Sequence, residues 1–93
     1  MAILAEPEIK QALTGLKGWN REGTSIQRTF EFHDFKAAMQ FVNKVAEGAE
    51  RANHHPDIDI RYNKVKMSLI SHDAGGLTQN DVRMAEQINQ IAA

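Results

Sequence analysis

The stretch between Asp34 and Pro56 decides more about this chain than any other. Phe35, Ala38, Met39, Val42, Val45, Ala46 and Ala49 recur at three- and four-residue intervals. That spacing puts them on one apolar stripe of an α-helix about four turns long. Asp34 is placed to cap it, its carboxylate accepting from a free backbone N–H of the first turn. Pro56 disfavours helical geometry at His55, so the helix must end near Asn53. Many residues of the stripe are small, so the helix can pack closely against a sheet or a partner helix. With 93 residues there is room for one core only, and a single domain over residues 1–93 is expected.

The flanking segments supply what that helix can pack on. Pro7 to Leu16 carries Ile9, Ala12, Leu13 and Leu16 at helical spacing, and Gly15 and Gly18 end it. Glu22-Gly23-Thr24 reads as a turn between two strands. In Ser25 to Phe32, Ile26, Phe30 and Phe32 share a face with Arg28, and Gln27, Thr29 and Glu31 take the other. Ile58, Ile60 and Tyr62 alternate, as do Val65, Met67 and Leu69, with a turn near Asn63-Lys64. The second of these strands is expected to run to His72. Thr78-Gln79-Asn80-Asp81 is a capping-box pattern opening a last helix lined by Val82, Ala85, Ile88 and Ala92. The order helix, strand, strand, helix, strand, strand, helix points to an α+β sandwich: a four-stranded antiparallel sheet with helices packed on one face.

Composition removes several function classes. The net charge of −1 is not the basic footprint of a nucleic-acid binder. The one basic cluster, Arg61, Lys64 and Lys66, reads as a solvated strand face. The absence of cysteine removes disulfides, thiolate chemistry and cysteine metal sites. No apolar run reaches the roughly 20 residues that span a bilayer. The opening Met1-Ala2-Ile3-Leu4-Ala5-Glu6 lacks the basic region of a signal peptide, so a cytoplasmic location is expected.

What remains is histidine. Three of the four histidines stand in Glu50-Arg51-Ala52-Asn53-His54-His55-Pro56 and, a strand later, at His72. Histidine gives and takes protons near neutral pH. Glu50 and His54 are four residues apart at a helix end, where a carboxylate can hold the imidazole in one tautomer. His72 is expected beside the Asp73-Ala74-Gly75-Gly76 loop, where a pocket mouth is plausible. A metal site is the second reading of three histidines and a glutamate, although adjacent histidines chelate one ion awkwardly. His33 reads as a solvated loop residue, Asp81 as a helix cap and Tyr62 as core. Trp19 is either a packing residue or an aromatic wall for a flat heterocycle.

These residues resemble the pterin-4a-carbinolamine dehydratase family. The signature is Glu50, three residues, His54-His55-Pro56, five residues, Tyr62, nine residues, His72, eight residues, Asp81. Gly18-Trp19, Phe30-Glu31-Phe32 and Asp34-Phe35 add to it. The resemblance runs from Leu13 to the final helix. It implies a four-stranded antiparallel sheet with helices on one side, and homo-oligomers: dimers by sheet extension, tetramers through the long helix. It implies a small-molecule substrate, a 4a-hydroxytetrahydropterin, that loses water to give quinonoid dihydropterin in tetrahydropterin recycling. No metal and no organic cofactor are implied. His54, His55 and His72 would surround the reacting carbon, with His54 the main acid/base aligned by Glu50 and His72 at the departing hydroxyl. Asn53, Pro56, Ser71, Asp73 and Trp19 would contact the pterin. Asn53 stands where a family member can carry Asp. The alternatives are a non-catalytic pterin-binding or dimerisation module, or the same fold acting on another pterin such as a molybdenum-cofactor precursor.

Overall fold

Alternation and helical periodicity resolve into seven elements in a computed structural model that describes residues 2–93. They are α1 (Glu6–Thr14), β1 (Asn20–Glu22), β2 (Ser25–Glu31), α2 (Phe35–Ala52), β3 (Asp57–Arg61), β4 (Lys64–Leu69) and α3 (Gln79–Ala92). The strands form one antiparallel sheet in the order β1-β2-β4-β3. Val65, Met67 and Leu69 of β4 are buried while Lys64 and Lys66 are exposed, so the helices cover one face only. The α+β order read from the sequence is the order observed. No helix of the described residues is long and apolar enough to cross a membrane.

The core is one contiguous cluster, and α2 supplies Ala38, Phe41, Val42, Val45 and Ala49 to it. The buried face is rotated from the expected stripe. Phe41 and Gly48 are inside, whereas Ala46 is exposed and Phe35 is 50% exposed. Apolar residues flank the centre of the stripe on both sides, so periodicity alone does not choose between the flanks. Packing does. Phe41 stacks obliquely on Phe30 and Phe32, with ring centroids 4.9 and 4.8 Å away. At Gly48 an added Cβ would lie 2.6 Å from the Gln87 amide nitrogen of α3, so any side chain there would displace the Gln87 amide.

Other expectations shift at their ends. The first helix stops at Thr14, and Leu16 is buried beyond it. β2 stops at Glu31, because Phe32 leaves the sheet to pair with Asn63 through N–H to carbonyl (2.9 Å) and side-chain amide to carbonyl (2.8 Å) bonds. Tyr62 is not core: it occupies the β3–β4 turn with φ 53° and is 67% exposed. β4 stops at Leu69, so His72 lies in a turn past the strand. β3 is an edge strand. Its Ile58 and Ile60 sit opposite Met67 and Val65 on the helix side, yet they stay 37% and 38% exposed.

Trp19 is 4% exposed and belongs to the core, not to a ligand wall. Its indole Nε1–H donates to Asn89 Oδ1 at 2.8 Å. Arg28 donates to the same oxygen at 2.8 Å and to the Lys17 carbonyl at 2.9 Å, with its guanidinium 4.3 Å from the Phe30 ring centroid. Gly18 closes this latch at φ 84°, where a Cβ would come within 2.5 Å of Arg28 Nε. On the surface, Arg21 grips Glu6 with two hydrogen bonds, which hold the Glu6 carboxyl below the usual carboxylate range.

Gly18→Ala is therefore expected to cost about 1–3 kcal/mol, from positive φ and displacement of a pinned arginine. Urea denaturation measures it. Adding Arg28→Ala should recover the steric part but not the backbone part.

Candidate active site

The helix that carries the histidine pair ends in a left-handed turn. Asn53 adopts φ 51°, ψ 41°, a conformation asparagine tolerates better than most residues. Its N–H bonds the Glu50 carbonyl and the His54 N–H bonds the Ala49 carbonyl, the two hydrogen bonds of a Schellman motif. Pro56 then commits the chain to the extended path into β3. The consequence is that His54 no longer lies on the helical face of Glu50.

His54 turns toward α3. Its Nε2 lies 2.6 Å from Asp81 Oδ1. The side chain of Asp81 is fully buried and that of His54 is 13% exposed. The carboxylate aligning His54 is thus Asp81, which corrects the expectation of Glu50. Asp81 is also the helix cap expected of it: its Oδ2 accepts from the Thr78 N–H at 2.9 Å. Glu50 pairs with His55 instead, Oε2 to Nε2 at 2.5 Å, and these side chains are 77% and 54% exposed. In both pairs Nε2 faces the carboxylate, so Nδ1 is the ring nitrogen left for a bound molecule.

The third histidine is brought in by a tight turn. The Ser71 N–H bonds the Gly76 carbonyl at 3.0 Å, and the Ser71 carbonyl accepts from the N–H groups of Ala74, Gly75 and Gly76. Gly75 supplies a positive φ of 76°. His72 and Asp73 sit on the exposed arc of this turn. At its base, Ser71 Oγ donates to Asp81 Oδ2 at 2.8 Å and lies 2.8 Å from Thr78 Oγ1.

An open cavity of about 410 Å³ is lined by His54, His55 and His72 together with Asn53, Ser71 and Asp73, a volume suited to a small heterocycle. Ile70, Ala74 and Asn80 complete its wall. Glu50, Pro56 and Trp19 are not in that wall: Glu50 backs His55 from outside, Pro56 directs the chain, and Trp19 is in the core. Asn80 is the polar wall residue that sequence reasoning missed. Its place beside Asp81 in the first turn of α3 was the available signal. His33 is exposed between β2 and α2. Among the described residues, no group of three or more His, Asp or Glu is gathered as metal ligands would be.

Known proteins with this sequence and shape give the arrangement a context. The family model described as pterin 4 alpha carbinolamine dehydratase matches residues 2–91. A protein of Koribacter versatilis named "Putative pterin-4-alpha-carbinolamine dehydratase" is 52% identical, covering 95% of this chain and 94% of its own. One of the same name from Sulfurisphaera tokodaii is 50% identical, covering 98% of each. A crystal structure of a transcriptional coactivator/pterin dehydratase from Brucella melitensis superposes with a TM-score of 0.96 at 37% identity, covering 99% of this chain and 100% of that one. A pterin dehydratase-like RuBisCO assembly factor of the alpha-carboxysome shares the fold, with a TM-score of 0.71 at 19% identity over 82% of this chain and 90% of that one. The chain belongs to the pterin-4a-carbinolamine dehydratase family.

Proposed function

We propose that this chain is a cytoplasmic hydro-lyase that removes water from a 4a-hydroxytetrahydropterin. The observation that carries the reading is the convergence of His54, His55 and His72 on one cavity, with two of them held by carboxylates. The carbinol hydroxyl leaves as water once it takes a proton. The adjacent ring nitrogen gives up its proton as the carbon–nitrogen double bond of the quinonoid product forms. One general acid and one general base suffice, each contributing about 10²–10⁴-fold. His54 Nδ1 is the base in this assignment, His72 the donor to the hydroxyl, and His55 the remaining proton carrier. Asn53, Asp73 and Asn80 offer polar groups to the pterin edge. The chemistry needs no metal or organic cofactor.

Self-association accompanies this reading. The outer edge of β3 offers unpaired backbone groups beside Ile58 and Ile60, which supports dimers by sheet extension. The exposed Phe35 flank of α2 supports tetramers. The same apolar surfaces favour the second reading, a non-catalytic pterin-binding or dimerisation module. The Brucella melitensis relative, named both transcriptional coactivator and pterin dehydratase, is in keeping with either reading. Turnover separates the two readings.

With carbinolamine generated in situ, ultraviolet absorbance should show decay well above the spontaneous rate. Decay at the spontaneous rate would overturn the dehydratase reading. Asp81→Asn is the sharpest variant. Its amide oxygen can keep the bonds from Thr78 and Ser71, which turns the NH₂ toward His54 and forces the proton onto Nδ1. A wrong histidine tautomer costs a serine protease about 10⁴-fold. A kcat loss of at least about 10²-fold is expected here with the circular dichroism spectrum unchanged. Glu50→Gln should lose less than about tenfold, because its pair is exposed to solvent and screened. Equal losses in the two variants would refute the ranking of the two carboxylates.

A further inference from the structure

Ser71 lines the cavity, but its hydroxyl has no proton left to donate to a ligand. Asp81, when ionised, only accepts hydrogen bonds. The Ser71 Oγ–H must therefore point at Oδ2, 2.8 Å away. That leaves Ser71 Oγ as the acceptor in its 2.8 Å contact with Thr78, so the Thr78 Oγ1–H points at Ser71. Thr78 Oγ1 in turn accepts from the Asn80 N–H at 3.2 Å. The donors on this side all point toward Asp81: Asn80 N–H to Thr78, the Thr78 hydroxyl to Ser71 and the Ser71 hydroxyl to Oδ2, while His54 Nε2–H meets Oδ1 from the opposite side. Thr78 and Asp81 are both fully buried, and no buried side-chain polar atom among the described residues lacks a partner. Such one-directional chains polarise each bond in turn.

We propose that Ser71 and Thr78 are positioning residues for His54, a role that rests on His54 being the base. The Ser71 hydroxyl, itself oriented by the Thr78 hydroxyl, supplies Oδ2 with the side-chain donation that completes its set beside the Thr78 N–H. Stripped of it, Asp81 is a buried anion short of partners, a state that proteins relieve by taking up a proton. A proton on Oδ1 would then be donated to His54 Nε2, and the imidazole would carry its own hydrogen on Nδ1. The base would be lost without any change in the residues that touch the substrate. Ser71 thus acts on the imidazole at one remove, and Thr78 at two.

The test is a long-range ¹H–¹⁵N correlation spectrum of the histidine side chains at a pH where they are neutral, on the full chain. Wild type and Ser71→Thr should show His54 as a single tautomer protonated at Nε2. Ser71→Ala and Thr78→Val should show a mixture or the Nδ1–H form. In parallel, kcat should fall at least about tenfold in Ser71→Ala with KM changed less than about twofold, and Ser71→Thr should restore it. Thr78 also caps α3, so Thr78→Val is read only if its thermal transition stays cooperative, and Ser71→Ala carries the test without it. An unchanged Nε2–H pattern in Ser71→Ala overturns the proposal. So does a loss confined to KM, which would make Ser71 a substrate contact. The spectrum decides the wiring whether or not wild type turns over, so failure of the dehydratase reading is seen separately.

Discussion

A carboxylate with no solvent exposure survives in a fold only if every lone pair that matters is occupied, since burying a charge without hydrogen bonds costs several kcal/mol. Asp81 meets that condition with donors from three separate segments. Thr78 N–H comes from the start of α3, the Ser71 hydroxyl from the turn after β4, and His54 from the end of α2. These are the three segments whose meeting forms the cavity. The requirement that stabilises the anion therefore also sets the positions of the cavity walls, and the capping residue of α3 cannot be separated from the site.

That junction depends on how α2 ends. An ideal helix continued past Ala52 would carry His54 one turn above Glu50 and keep it on the helical face. The left-handed Asn53 breaks that relation within one residue. The same turn satisfies the last carbonyls of the helix through the N–H groups of Asn53 and His54, so the reversal leaves no polar group stranded. Pro56 then makes the extended exit obligatory. One residue with positive φ thus exchanges the partners of two histidines.

This explains which parts of the site were legible in the sequence. The elements, the Asp34 and Thr78 caps and the end of α2 at Asn53 follow from local rules that a single chain displays, whereas the meeting of the three histidines was implied by the family resemblance and not by their spacing. The pairing of Glu50 with His54 failed because the four-residue rule holds only inside a helix, and His54 lies two residues beyond one. Trp19 was ambiguous because its indole N–H is answered by Asn89, 70 residues away, and distance in the chain hides the partner. The rotation of α2 was hidden for a similar reason: Phe41 and Phe35 are equally apolar, and only the rings of Phe30 and Phe32 tell them apart. Tyr62 fitted the strand alternation, but the hairpin needed a residue at positive φ there.

The two histidine–carboxylate pairs share a chemical composition and differ in setting. Around His54 and Asp81, solvent is nearly excluded and the partners are themselves held by further bonds, so geometry is fixed and the field of the anion is little screened. Around His55 and Glu50, water competes with the bond and both side chains can move. An elimination that takes one proton and gives another has use for both settings. The proton abstracted from a ring nitrogen needs a lone pair held at a fixed point, which suits the buried pair. The other proton must be exchanged with solvent before the next turnover, which suits groups at the open rim such as His55 and His72. In the proposed reaction, the division of labour between His54 and His55, chemically identical imidazoles, is set by how deeply each one's carboxylate is buried.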